Sequence, residues 1–166
     1  LNKKIDHISM KLRQAIEDTR HIISDLSSPL LSELGLPAAI SEWLEENIQN
    51  RFEIETSFRC NTTAVDVKED VALMLFRSMR ELVTNVIKHA QASKVEVIIN
   101  VKENQLYLIV RDNGIGLKND LKSQLSDGAE GLGLFSIRER MSDLGGEMKL
   151  KYSKSKGTEV TLIVPL

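Results

Sequence analysis

Residues 106–116 read LYLIVRDNGIG, an apolar run that ends directly in an acidic, glycine-containing turn. The run and residues 94–101 before it are strand-like, and Lys102, Glu103 and Asn104 between them predict a hairpin. Asp112 then stands at the exit of a sheet. A carboxylate fixed there can accept a hydrogen bond from the amino group of a base such as adenine, although an ordinary turn also contains Asp-Asn-Gly.

The segment before this hairpin predicts a long helix from Asp66, as N-cap, to about Ala90. Glu81, Asn85 and His89 stand four residues apart and form one ridge beside the apolar stripe. A buried carboxylate or amide is costly unless it is paired or coordinating. The ridge is therefore either a binding site or a partly solvated helix edge with ordinary hydrogen bonds. The helix sequence alone favours the second interpretation.

Residues 114–133 form an irregular segment that contains five glycines, and a loop of that length inside a compact domain is usually functional. We interpret it as a lid. It ends in Gly-Leu-Gly-Leu at 131–134, which leads into a helix predicted over 134–144, so free backbone N–H groups there favour a phosphate.

Other known nucleotide and metal loops do not fit these segments. The third glycine of a dinucleotide-binding loop is replaced by Ser136, and neither Gly-Lys-Ser nor Gly-Lys-Thr occurs in the chain. The acidic ligands of a calcium loop do not follow Asp112 at the required alternation.

The remaining chain predicts further elements around this centre. Strands are expected over 147–152 and 158–164, and an alternating strand over 52–58. At the N-terminus an amphipathic helix is expected over 5–26, closed by Pro29 and by the Leu-Gly-Leu-Pro run at 34–37, with a second helix over 38–50.

Composition limits the class of protein. The chain has 166 residues, of which 42% are apolar, enough for one domain with a helical appendage. Lys and Arg total 22 against 24 Asp and Glu, so nucleic acid is not an expected direct partner. The one cysteine, Cys60, cannot form an internal disulfide, which fits a cytoplasmic protein. Apolar stretches fall far short of the roughly 20 residues of a membrane span, and a membrane-attached parent protein remains compatible with this.

Three segments, in this order, resemble the sensor histidine kinases of two-component systems. Residues 81–90 (ELVTNVIKHA) are similar to the N box of that family, 112–116 (DNGIG) to its first glycine box and 131–134 (GLGL) to its second. Residues 137–141 (IRERM) resemble the subgroup whose response regulators carry helix-turn-helix domains. The resemblance covers 67–166 and implies a two-layer α/β sandwich of the Bergerat (GHKL) type, a mixed sheet covered on one face by three helices, here with an added N-terminal amphipathic helix.

The resemblance also implies roles for individual residues in binding ATP and Mg²⁺. Asn85 would supply a side-chain oxygen to the metal, and Glu81 would orient a metal-bound water or assist proton movement. Lys88 and His89 would lie near the phosphates, although a local hydrogen bond at the helix end explains His89 equally well. The residues expected around the adenine and the lid are Asp112, which would read the adenine; Gly114 and Gly116, its backbone neighbours; Gly131, Leu132 and Gly133, the hinge of the lid; and Thr158, which would add a hydrogen bond through water.

The histidine that accepts the phosphate in this subgroup is followed by an acidic residue, and no such pair occurs here. His7, His21 and His89 are followed by Ile8, Ile22 and Ala90. We therefore expect a fragment in which residues 1–30 are the second helix of a dimerisation and phosphotransfer hairpin and 31–166 are the ATP-binding domain. The acceptor would lie upstream of Leu1.

The function implied is transfer of the ATP γ-phosphate to that histidine, for relay to a response regulator. The histidine would belong to the same protein or to its mate in a homodimer. The sequence is compatible with two alternatives: another ATPase with the same glycine boxes, or a non-catalytic regulatory or dimerisation module of the same fold.

Overall fold

The computed structural model describes residues 29–62, 65–116, 132–153 and 157–166. The helices are α1 (Pro29–Leu44), α2 (Glu69–Asn85) and α3 (Leu132–Asp143), and α1 and α2 each continue into a π-helical turn, Glu45–Gln49 and Val86–Ala90. The strands are β1 (Glu55–Cys60), β2 (Lys94–Lys102), β3 (Gln105–Asp112), β4 (Glu147–Ser153) and β5 (Gly157–Pro165).

The five strands form one mixed sheet in the order β1-β2-β3-β5-β4. β1 runs parallel to β2, with Glu55 opposite Lys94, and the other pairs are antiparallel. Because side chains alternate across each strand, every strand has one face toward the helices and one away from them. The central strand β3 therefore delivers its C-terminal residue, Asp112, to the same face as Val110 and Leu108, which are buried.

The hydrophobic core lies between that face of the sheet and the three helices. α2 contributes a stripe at helical spacing that includes Leu75, Met79, Leu82 and Val83, all buried. The other helices contribute Ile40 and Leu44 from α1, and Ile137 and Met141 from α3. The fold predicted from the family resemblance, a mixed sheet with three helices on one face, is confirmed.

The opposite face of the sheet carries a row of alternating charges. Arg59 on β1 pairs with Glu96 on β2, which pairs with Arg111 on β3 at 3.0 Å. Arg111 also pairs with Glu159 on β5 at 2.6 Å, and Lys151 on β4 lies 3.4 Å from Glu159. This charge row, Arg59–Glu96–Arg111–Glu159–Lys151, crosses all five strands.

The predicted boundaries on the N-terminal side agree in part. The described part of α1 starts at Pro29, and proline is tolerated in a first helical turn. The helix that Pro29 was predicted to close lies outside the described residues. Gly35, at φ 77° and ψ 168°, is not helical and divides α1 at a kink, which agrees with the break predicted at 34–37. β1 begins at Glu55, where it meets β2, and leaves Phe52 exposed.

Asp66 does not cap α2. That helix begins at Glu69, and Glu69 and Asp70 supply the negative charge of its first turn.

The hairpin of β2 and β3, the long helix to Ala90 and the two last strands are confirmed within one to three residues at their ends. The amphipathic helix predicted over 5–26 lies outside the described residues, and so does most of the predicted lid. Each helix in the part of the chain that the structure describes falls short of the length and apolarity needed to cross a membrane.

Candidate functional site

Glu81 and Asn85 lie one helical turn apart on α2 and are both half-buried. The start of α3 lies directly against them. A Cβ placed on Gly133 would be 2.4 Å from Oε1 of Glu81 and 3.5 Å from Nδ2 of Asn85. Only a residue without a side chain leaves the Glu81 carboxylate undisturbed there, so the second glycine segment and the α2 ridge form one site.

The Glu81 carboxylate has a second neighbour on α3. Nη2 of Arg140 donates to Oε2 of Glu81 at 2.9 Å, and Nε of Arg140 donates to the carbonyl of Ser136 at 3.0 Å. Both side chains of the ion pair keep about a third of their exposure, 33% for Glu81 and 31% for Arg140. The Asn85 amide, by contrast, makes no hydrogen bond to any residue that the structure describes.

Asp112 is buried, and both of its carboxylate oxygens are held by backbone amides. Oδ1 accepts the N–H of Gly114 at 2.7 Å, and Oδ2 accepts the N–H of Thr158 at 3.2 Å. A Cβ on Gly157 would lie 2.1 Å from the Asp112 carbonyl oxygen, so β5 approaches closely here because residue 157 is glycine. Each carboxylate oxygen keeps a lone pair, and the group is fixed in direction for one further donor.

The first glycine segment is packed against the end of the α2 ridge. The N–H of Ile115 donates to the carbonyl of Ala90 at 2.8 Å, and a Cβ on Gly114 would lie 2.1 Å from that oxygen. Gly116 has φ +70°, and a Cβ there would lie 2.5 Å from the carbonyl of Ser153. These contacts with backbone carbonyls require glycine at both positions.

Asn113 ties the same turn to the start of β2. Its Oδ1 accepts the N–H groups of Ser93 and Lys94 at 3.0 and 2.9 Å, and its Nδ2 donates to Oγ of Ser93 at 2.9 Å. Hydrogen bonds therefore attach the turn from Asp112 to Gly116 both to Ala90 and to the start of β2.

The other predicted residues are less enclosed. Lys88 and His89 lie exposed in the π-helical turn that ends the ridge. Thr158 meets Asp112 through its backbone N–H, and its side chain is half-buried. Leu132 is the first residue of α3, whereas Gly131 lies outside the described residues.

The structure brings three further residues into the site, for which the sequence predicted no role: Arg140, Gly157 and Asn113. The spacing along α3 was one indication for Arg140. Gly133 and Arg140 are seven residues apart and therefore lie on the same face of α3. If that face contacts Glu81 through Gly133, it can also bring Arg140 to Glu81. The contact of Gly157 with Asp112 needs the pairing of β3 with β5, which no local pattern reveals.

The oxygen atoms of the ridge suit a hard cation better than a transition metal. Among the described residues there is no group of three or more His, Cys, Asp or Glu side chains that could enclose an ion. A cation at Asn85 would therefore complete its coordination with water or with the oxygens of a bound anion.

Comparisons with known proteins agree with this geometry. The profile described as histidine kinase-, DNA gyrase B-, and HSP90-like ATPase matches residues 70–166. The sensor histidine kinase LiaS of Bacillus subtilis is 32% identical over 99% of this chain and 43% of its own length. The oxygen sensor histidine kinase NreB of Staphylococcus carnosus is 30% identical over 99% of this chain and 45% of its own length.

A solved structure supports the same relation. The blue-light activated histidine kinase of Erythrobacter litoralis superposes with a TM-score of 0.66 at 25% identity, over 79% of this chain and 42% of that one. The chain thus spans less than half the length of each of these three proteins.

Proposed function

The chain belongs to the histidine kinase-, DNA gyrase B- and HSP90-like ATPase family, and we propose that it is the catalytic domain of a sensor histidine kinase. In this proposal the domain binds ATP with Mg²⁺ and transfers the γ-phosphate to a histidine upstream of residue 1. A response regulator then receives the phosphate. The other ATPases that share these glycine segments are not favoured, because the relatives that match nearly the whole chain are named as sensor histidine kinases.

The observation that carries the proposal is the contact of Gly133 with the Glu81 and Asn85 ridge. Backbone N–H groups at the start of a helix favour phosphate, and here they lie beside the two polar side chains of α2. Asp112 and Gly114 lie at the other end of the same ridge, next to Ala90. From Glu81 to Ala90 the helix rises roughly 13 Å, so one nucleotide can extend along it with its base at Asp112 and its phosphates at Gly133.

Transfer of the γ-phosphate requires little covalent chemistry from the residues of the domain. The lone pair of an imidazole nitrogen forms a bond to the γ-phosphorus while the bond from phosphorus to the bridging oxygen breaks, and that electron pair leaves on ADP. The proton of the other imidazole nitrogen must then be removed. Oε1 of Glu81 is the carboxylate oxygen not bound to Arg140, and it can accept that proton directly or through water. Positioning and charge supply the rest of the rate.

Asn85 would hold the Mg²⁺, through its side-chain oxygen. When bound, the ion neutralises the charge that develops on the phosphate oxygens. Lys88 and His89 are exposed near Ala90, at the end of the ridge next to Asp112, so in this proposal they add positive charge or hydrogen-bond donors between the base and the phosphates at Gly133. We propose the cytoplasm as the compartment and a homodimer as the assembly.

Substitution of Asn85 by alanine tests the metal and the nucleotide together. We expect the affinity for a fluorescent ATP analogue in the presence of Mg²⁺ to fall about tenfold or more, which is about 1.4 kcal/mol or more, because the metal loses a side-chain oxygen ligand. Without Mg²⁺ the wild type and Asn85→Ala should bind alike. Asn100→Ala, on β2 outside the site, is the matched control and should bind as the wild type does.

Two results would contradict the proposal. The first is ATP binding by the wild type that is absent or does not depend on Mg²⁺. The second is failure of γ-labelled phosphate to reach a histidine when the segment upstream of residue 1 is present, with label released as inorganic phosphate instead, which would favour a plain ATPase.

A further inference from the structure

We propose that Arg140 is a positioning residue for the reaction, one that holds the Glu81 carboxylate so that a defined oxygen faces the transferred phosphate. This inference rests on the function proposed above. Arg140 would not touch ATP or the histidine. It would act through Glu81, to which Nη2 donates at 2.9 Å.

The contact makes the two oxygens of the carboxylate different from each other. Oε2 accepts the charge-assisted hydrogen bond from Arg140, while Oε1 lies against Gly133 on the side of Asn85. A glutamate side chain on a helix surface can adopt several rotamers, and the hydrogen bond from Arg140 to Oε2 restricts Glu81 to those that allow this contact. Oε1 is thereby directed to the place where a metal-bound water or the proton of the incoming imidazole would be.

Arg140 is itself held in place. Its Nε donates to the carbonyl of Ser136, one turn earlier on the same helix, at 3.0 Å. The α3 helix thus supplies both the glycine that makes room for the Glu81 carboxylate and the arginine that binds it. Any displacement of α3 would move both contacts together.

A purely stabilising role does not account for this pair. Both side chains keep about a third of their exposure, and ion pairs with that degree of hydration contribute little to stability. The helix offers a direct comparison, because Arg138 is two residues away, is exposed, and has no partner among the described residues. Of these two arginines, Arg140 is the one whose side chain is held by hydrogen bonds to described residues, Glu81 and Ser136.

The test is histidine phosphorylation from γ-labelled ATP by the full-length protein, measured over a range of ATP concentrations. For Arg140→Gln we expect kcat to fall about 10- to 100-fold, less than the roughly 10²- to 10⁴-fold that acid–base assistance itself contributes, because Glu81 stays in place, while KM for ATP stays within about threefold. Arg140→Lys should recover part of the lost rate, since it restores the charge without the fork geometry. Arg138→Gln should match the wild type.

A double-mutant cycle then asks whether the two residues act as a unit. If Arg140 acts through Glu81, then Glu81→Gln combined with Arg140→Gln should be no slower than Glu81→Gln alone. If the two losses multiply, Arg140 acts independently of Glu81 and the inference is wrong. Equal losses in ATP binding and in kcat would likewise overturn it, because they indicate a damaged site.

The inference and the proposed function can fail separately. If Glu81→Gln slows transfer and Arg140→Gln does not, only the role of Arg140 is lost. If the wild type forms no phosphohistidine at all, the kinase proposal itself is lost. Thermal unfolding of each variant identifies any that fails to fold, and Arg140→Lys, which keeps the charge, then carries the test.

Discussion

At the scale of single residues, Gly133 has the most informative surroundings in the site. A Cβ there would meet Oε1 of Glu81 at 2.4 Å, which is the far end of a flexible side chain and not backbone. We expect Gly133→Ala to keep its stability or gain up to about 1 kcal/mol, because alanine favours a helix over glycine. Phosphotransfer should fall about tenfold as the carboxylate is pushed aside. Chemical denaturation and the labelling assay measure the two effects.

Gly145 is the control for this substitution. It has φ +65°, and no atom of a described residue lies within 4 Å of an added Cβ, so alanine meets backbone strain but no described neighbour. Gly145→Ala should lose about 1–2 kcal/mol of stability and keep its phosphotransfer rate per folded molecule. The two variants thus have opposite profiles, and a Gly133→Ala protein that is destabilised yet fully active would contradict our account of the site.

The residues of the site differ in how far sequence could define them. Asp112 was predictable because it ends an apolar strand and continues the alternation that faces the core. The amides that orient it come from residues 114 and 158, and only the first is local. Arg140 was visible as a residue of the IRERM run, but its contact with Glu81 spans 59 positions and depends on how α3 packs on α2. Local patterns identify the groups, whereas packing decides their partners.

At the scale of elements, the charge row on the open face of the sheet predicts a pH dependence. The hydrogen bond from Arg111 is the main reason that the pKa of Glu159 lies below its ordinary value of 4.5, and the same contact raises the pKa of Arg111. A carboxylate with a lowered folded pKa stabilises the protein above 4.5, and that contribution is lost as pH falls through the lowered value. The free energy of unfolding should therefore decrease on acidification below about pH 4.5.

Glu159→Gln isolates this contribution. We expect it to flatten part of the acid slope in denaturation curves taken at several pH values. At pH 7 the loss should be under about 1 kcal/mol, because Arg111 is 46% exposed and water screens the pair. The comparison is Glu147→Gln, which removes a carboxylate paired with Lys149 at a more exposed position of the same sheet. If both variants keep the wild-type acid slope, the Arg111–Glu159 contact is not the source.

The elements themselves were largely predictable, and their errors have local causes. The hairpin of β2 and β3 follows from alternation and a polar turn, and α2 follows from its stripe. The start of β1 depends on where the chain meets β2, which is a tertiary event. α1 is interrupted at Gly35, where the Leu-Gly-Leu-Pro run predicts a break, and the part after Gly35 buries Ala39, Ile40 and Leu44.

At the scale of the whole molecule, the described residues form one continuous hydrophobic core. It extends from Leu31 to Val164 and joins all three helices to the inner face of the sheet. We therefore predict that residues 29–166 form an independent ATP-binding unit. That fragment should bind a fluorescent ATP analogue with Mg²⁺ within about threefold of the complete chain and should unfold in one cooperative transition.

A shorter fragment is the negative control for this prediction. Removal of residues 1–49 also deletes α1, which buries Leu36, Ile40 and Leu44 against the core. Each large apolar side chain lost from a core costs about 2–5 kcal/mol, and a domain of this kind has only about 5–15 kcal/mol in total. The shorter fragment should therefore be largely unfolded and should not bind the analogue. If residues 29–166 behave like the shorter fragment, the first 28 residues belong to the ATP-binding unit, and the division proposed between a phosphotransfer helix and a catalytic domain is wrong.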